Sequence, residues 1–196
     1  MTTDTTRTAR IPLNPPRTLT LRLAEWYSRR TYGKLLEPAL VFGHHPRLLR
    51  AYFAFEAKTG RWRALDPTLK HLAQMVPAAR IGCSWCLDFG HWEADRLGLP
   101  LEKISKVPDW RSHQESFTEL ERLVMEYAEA MTDTPPTVTD AMAERLRGSL
   151  GNRAFVELTA MVALENFRSR VNGAMGLRSQ GFSDSCDIPL GGPAGE

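Results

Sequence analysis

Apolar residues in this chain recur at intervals of three and four, and no stretch shows the strict alternation a half-buried strand requires. That periodicity, cut by helix-start and helix-stop signals, predicts an all-α fold. Leu19, Leu23, Trp26 and Tyr27 follow helical spacing from about Thr18. His45-Pro46 and Asp66-Pro67 each place a capping side chain ahead of a proline, which fits the first helical position. Thr118-x-x-Glu121 is a capping box ahead of the stripe Leu120, Leu123, Val124, Tyr127, Ala128 and Met131. A helix from about Thr139 to Leu150, a turn at Gly151-Asn152, and a last helix from about Arg153 to Met175 complete the series. The last helix is apolar on most sides, which predicts a central position or a subunit interface. Pro77 is expected to kink or end the helix begun at Asp66, because it lacks an N–H and clashes with the preceding turn. Val107 to Trp110 reads as a linker.

With 196 residues, 42% of them hydrophobic, the chain has enough apolar surface for one domain with a substantial core. The expected organisation is a flexible arm over 1–17, a helical domain over 18–180, and a Ser/Gly/Pro-rich flexible tail over 181–196. A net charge of +2 with scattered basic pairs predicts neither a nucleic-acid nor a membrane partner. No apolar run approaches the roughly 18 residues of a membrane span. The polar, proline-rich first residues have no apolar segment of the secretory kind. Three cysteines make no disulfide framework, so a reducing cytoplasm is the expected compartment.

Cys83-Ser84-Trp85-Cys86 is where chemistry is expected. Ile81-Gly82 precede it and a helix from Trp85 to Leu97 follows, which puts Cys83 near the N-cap and Cys86 in the first turn. Unpaired N–H groups and the dipole there favour a thiolate, the reactive form of cysteine. The spacing suits a redox pair, in which one thiolate attacks and the other resolves the product as a disulfide. It also suits half of a zinc knuckle or two small buried hydrophobes. The zinc reading lacks a second CxxC or HxxxH, so no metal is expected. No GxGxxG or P-loop implies an organic cofactor. His91, five residues after Cys86, points about 140° away around the helix, and reads as a solvated or interface residue or as a partner of Asp88, three residues back. Trp85 and Trp92 share a face and read as packing, with the lining of a substrate entrance as the other reading of Trp85. Arg170, Asn166 and Asn172 read as a polar network supporting the last helix, or as lining of the pocket. Cys186, in the tail, reads as a solvent-exposed thiol or as one that resolves a sulfenic acid or bonds another subunit.

Three stretches together resemble the alkylhydroperoxidase D-like branch of the carboxymuconolactone decarboxylase superfamily: His71 to Leu99 around the CxxC, Glu157 to Leu177 with Asn166, Arg170 and Asn172, and the helix following His44. The resemblance covers about residues 40–180. It implies an alkylhydroperoxidase D-like helical bundle, a single domain forming homo-oligomers such as trimers or hexamers. It also implies hydroperoxide reduction or dithiol/disulfide relay through Cys83 and Cys86. The partners would be a small-molecule hydroperoxide or a dithiol donor. Two positions depart from the family's pattern. Gly90 stands where redox members carry a histidine, and His71 where they carry a glutamate. One reading is that the imidazole has moved. His71 would approach the thiols through the space left at Gly90 and act as their base, making Cys83, Cys86 and His71 the catalytic set. The plain alternative makes His71 an interface histidine. A helical oligomer that binds a ligand or partner through redox-sensing thiols, and a cofactor-free decarboxylase or lyase, are the competing functions.

Overall fold

The computed structural model describes residues 9–186, so residues 1–8 of the expected arm and 187–196 of the expected tail lie outside it. Among the described residues there are eight α-helices, two 3-10 segments and no strand, and the all-α fold is established. Packing divides the chain into two compact units. One holds residues up to Trp62 with Ala174–Leu177; the other holds Arg63–Gly173 and the residues from Arg178 on.

The first unit contains α1 (Leu19–Tyr32), α2 (Glu37–Gly43) and α3 (Pro46–Thr59). The predicted His45 cap forms, its Nδ1 accepting from the Leu48 N–H at 3.1 Å, and Thr18 caps α1 by accepting from the Leu21 N–H. Residues 9–17, part of the expected flexible arm, are tied down. The Arg10 N–H donates to the Met175 carbonyl at 2.8 Å, His44 Nε2 donates to Pro12 O at 2.7 Å, and Pro15 fits against Gly43.

The second unit carries α4 (Pro67–Ile81), α5 (Ser84–Arg96), α6 (Leu101–Ser105), a 3-10 segment (Val107–Ser116), α7 (Glu119–Thr132) and α8 (Asp140–Ala174). Its core joins Leu69, Leu72 and Val76 of α4 to Leu123, Val124 and Ala128 of α7 and to Leu158 and Val162 of α8. The expected linker is therefore ordered, with Val107 and Trp110 buried in that core.

Pro77 does not end α4, which runs on to Ile81. An interior proline costs about 3 kcal/mol. Burying one large apolar side chain returns about 1.5–3 kcal/mol, and Leu72, Met75 and Val76 are all buried within a turn and a half of Pro77. Packing therefore outweighs the lost hydrogen bond. Gly151 breaks α8 with φ 74° and ψ 162°, where the sequence predicts its turn.

The capping box of α7 is complete. Thr118 Oγ1 accepts from the Glu121 N–H, and Glu121 Oε2 accepts from the Thr118 N–H at 2.7 Å. Thr118→Ala is expected to cost about 1 kcal/mol, measured as a lower midpoint in thermal unfolding. Among the described residues no helix is long and apolar enough to cross a membrane.

Candidate active site

Gly82 ends α4 at φ 78°, in the left-handed region that a glycine adopts without penalty. The turn it permits makes Cys83 the N-cap of α5, as the sequence predicts. Cys83 Sγ accepts from the Cys86 N–H at 3.3 Å. Cys83 and Cys86, with Cα atoms 5.3 Å apart, are joined as a disulfide. Both are buried.

Two side chains of α8 converge on the second sulfur. Ser169 Oγ and Asn172 Nδ2 each lie 3.4 Å from Cys86 Sγ. Ser169 also donates to Glu165 Oε1 at 2.9 Å, and Arg168 Nη1 donates to Glu165 Oε2 at 3.1 Å. Glu165, Ser169 and Asn172 are all buried. The Asn172 amide is a hydrogen-bond donor aimed at the sulfur, and such a donor favours the thiolate and lowers the cost of ionising Cys86. Among the described residues no cluster of three or more His, Cys, Asp or Glu is placed to hold a metal ion.

The expected polar network therefore splits. Asn172 reaches the thiol, whereas Asn166 and Arg170 bind the end of α7. Asn166 Nδ2 donates to Thr132 Oγ1 at 2.9 Å, and Arg170 Nη2 donates to the Thr132 carbonyl at 3.2 Å.

His71 does not hydrogen-bond to either sulfur. Its Nε2 lies 2.8 Å from the Gly90 carbonyl. A carbonyl only accepts, so Nε2 carries the proton and is not the atom that takes one. Burial pushes the imidazole below its ordinary value, partly offset by the Glu93 carboxylate and the Gly90 carbonyl. The space at Gly90 belongs first to Met75. A Cβ built there would lie 2.5 Å from Met75 Sδ and 3.9 Å from His71 Nε2. His91, expected at the surface, is fully buried.

The start of the expected tail is packed onto α5. Asp88, 2% exposed, accepts from the N–H groups of Gln180, Phe182 and Ser183 at 2.8–3.1 Å and from the Ser183 hydroxyl at 2.8 Å. Burial alone would raise its carboxyl; the bonds from Ser183 and Phe182 outweigh it and hold the group below its ordinary value. Trp85 Nε1 donates to Gln180 Oε1 at 2.8 Å. Trp85 stacks on Phe89 with centroids 5.1 Å apart, and Phe182 meets the edge of Phe89 at 5.4 Å. Cys186, expected to be exposed, is 7% exposed. The signal for this docking was present in sequence: Trp85, Phe89 and Trp92 form a stripe at i, i+4 and i+7, and Phe182 is an isolated aromatic among serines. The approach of Ser169 to Cys86, with Glu165 bonded behind it, had no such signal.

A helical fold with a cysteine pair bonded at a helix start, one sulfur met by polar groups from a second helix, defines a class of dithiol proteins. The chain matches the model of the carboxymuconolactone decarboxylase family over residues 46–132. It is 38% identical over 173 residues to the uncharacterized protein YnjA of Escherichia coli K12, covering 87% of this chain and 92% of that one. It belongs to the carboxymuconolactone decarboxylase family.

Solved structures share the fold at low identity. A peroxidase-related protein from Silicibacter sp. TM1040 aligns with a TM-score of 0.77 at 16% identity, over 90% of this chain and 94% of that one. An alkylhydroperoxidase AhpD core protein from Ralstonia eutropha JMP134 gives 0.76 at 18%, over 92% and 97%. A cysteine-to-alanine variant of the debrominase Bmp8, in complex with 2,3,4-tribromopyrrole, gives 0.76 at 19%, over 89% and 95%.

Proposed function

We propose that this protein is a thiol-dependent oxidoreductase whose Cys83 and Cys86 cycle between dithiol and disulfide. An organic hydroperoxide is the oxidising substrate and a small dithiol the reductant. The observation that carries the reading is the bonded pair at the start of α5, with Ser169 and Asn172 at the sulfur of Cys86. The family supports it, as do the peroxidase-related proteins of like fold.

In this cycle the Cys86 thiolate attacks the terminal oxygen of R–O–O–H. The S–O bond forms as the O–O bond breaks, and the alkoxide leaves as ROH after gaining a proton. Cys83 then attacks the sulfenic acid. The S–S bond forms, and hydroxide leaves as water with the proton of the Cys83 thiol. A dithiol donor returns the pair to its reduced state by exchange, becoming a disulfide itself. We assign the attack to Cys86 because Ser169 and Asn172 of α8 both face its sulfur.

The test is to reduce the protein, add cumene hydroperoxide, and follow its consumption together with mass-resolved formation of the Cys83–Cys86 disulfide. The expected result is stoichiometric disulfide formation, and turnover when dithiothreitol is supplied. Two thiols that form no disulfide under this oxidant would overturn the reading and leave a binding protein.

We further propose that the protein acts in the cytoplasm as a homo-oligomer, a trimer or hexamer. The exposed apolar row Leu19, Leu23 and Trp26 on α1 supports association. Mass photometry is expected to find no dominant monomer.

A further inference from the structure

We propose that Glu165 and Ser169 form the proton relay of Cys86, replacing a histidine-based relay on the cysteine helix. The inference rests on the hydroperoxide reading above and names who moves the proton. Ser169 touches the reacting sulfur and is the catalytic residue; Glu165 acts through it and is the positioning residue.

The geometry begins with one helix face. Glu165 and Ser169 are one turn apart on α8, so both side chains lie on the same side. Ser169 Oγ sits 2.9 Å from Glu165 Oε1 and 3.4 Å from Cys86 Sγ. A hydroxyl has a single hydrogen and two lone pairs. The carboxylate is the stronger acceptor, so the hydrogen goes to Glu165 and a lone pair of Oγ faces the sulfur. In the reduced protein that lone pair can receive the S–H of Cys86. Arg168 holds the other oxygen of Glu165 and so orients Oε1 toward Ser169. Asn172 adds a donor to the same sulfur. Ser169 is fully buried and Glu165 nearly so, which keeps bulk water from carrying this proton. His71 is committed to the Gly90 carbonyl.

The steps balance. The Cys86 thiol gives its proton to Ser169 Oγ while the Ser169 hydrogen passes to Glu165 Oε1. This leaves a thiolate and a carboxylic acid. The thiolate attacks the peroxide and RO⁻ departs. The proton held by Glu165 returns through Ser169 to RO⁻, giving ROH, the Cys86 sulfenic acid and the carboxylate. Sulfur loses two electrons and the peroxide gains two.

The relay matters most where the leaving group needs a proton, and this separates it from a structural role. The experiment uses the full chain reduced in a Cys83→Ser background, so that the first product at Cys86 persists and is followed by mass. Two reagents are compared. tert-Butyl hydroperoxide releases an alkoxide that must be protonated. 5,5′-Dithiobis(2-nitrobenzoate) releases a thiolate stable as the anion. Glu165→Gln and Ser169→Ala are each expected to slow the hydroperoxide reaction about 100-fold, the lower end of general acid–base effects. The disulfide reagent draws on the deprotonation step alone and is expected to slow about tenfold less than the hydroperoxide. Equal slowing with both reagents, or none with either, would overturn the relay while leaving the hydroperoxide reading standing. A parent protein that reacts with the disulfide reagent but is inert to hydroperoxide would sink that reading and the relay with it. Ser169→Ala keeps the test decisive should Glu165→Gln not fold.

Discussion

Asp88→Ala is expected to detach the segment from Arg178 to Cys186 and to lower stability by about 1.5–3 kcal/mol, the range for losing hydrogen bonds to a charged group and leaving buried donors unpaired. Three backbone N–H groups and one hydroxyl lose their acceptor together. Phe182, 2% exposed, loses the anchor that holds it against Phe89 and Trp92. Asp88→Asn should fall between, since an amide oxygen accepts but its NH₂ faces donors. Urea unfolding measures the loss, and limited proteolysis shows early cleavage near residue 180. The pH dependence has a definite sign. The folded carboxyl is held below its ordinary value by the bonds from Ser183 and Phe182, which outweigh burial. Its contribution is complete above about pH 4, the unfolded carboxyl range, and is lost as pH falls through the lower folded value. That part of the acid sensitivity should be missing from Asp88→Ala. An alanine variant with native stability and an intact acid profile would mean the segment is held by its aromatic contacts alone.

Gly90→His, which places an imidazole one helical turn after Cys86, is expected to destabilise by about 1–3 kcal/mol or more, the range for overpacking a core. The Cβ alone would lie 2.5 Å from Met75 Sδ, and the ring would then press on His71. Met75 is 2% exposed and has little room to retreat. Helix propensity works the other way, since glycine costs up to about 1 kcal/mol in a helix interior, but a side chain of this size outweighs it. Met75→Ala in the same chain should recover part of the loss. A double-mutant cycle on positions 75 and 90, read by thermal unfolding, should give a coupling of about 0.5–3 kcal/mol. Additive effects would mean that the two residues do not compete for the space.

The elements legible in the sequence were those with local causes. Thr18, His45, Asp66 and Thr118 cap where they stand, and Gly151 turns the chain where it stands. The pairing of Cys83 with Cys86 at the start of α5 is equally local. What could not be read depends on partners distant in sequence. Pro77 stays helical because the core around it decides. The 3-10 segment after Lys106 orders because Trp110 finds Glu129, nineteen residues on. Ser169 gains its meaning from a sulfur 83 residues away, and a serine in a polar–apolar helix carries no mark of that. His71 was noticed for its place in the motif, yet its bond is to a backbone carbonyl.

The cap of α5 carries a consequence of its own. The atom that closes the first turn, Cys83 Sγ, is also an atom whose charge and bonding change with oxidation. A thiolate there is a stronger acceptor for the Cys86 N–H than a disulfide sulfur. Electron supply and helix fraying are thus two faces of a single equilibrium: a reductant that charges the sulfur tightens the first turn, and a force that loosens the turn makes the pair harder to reduce.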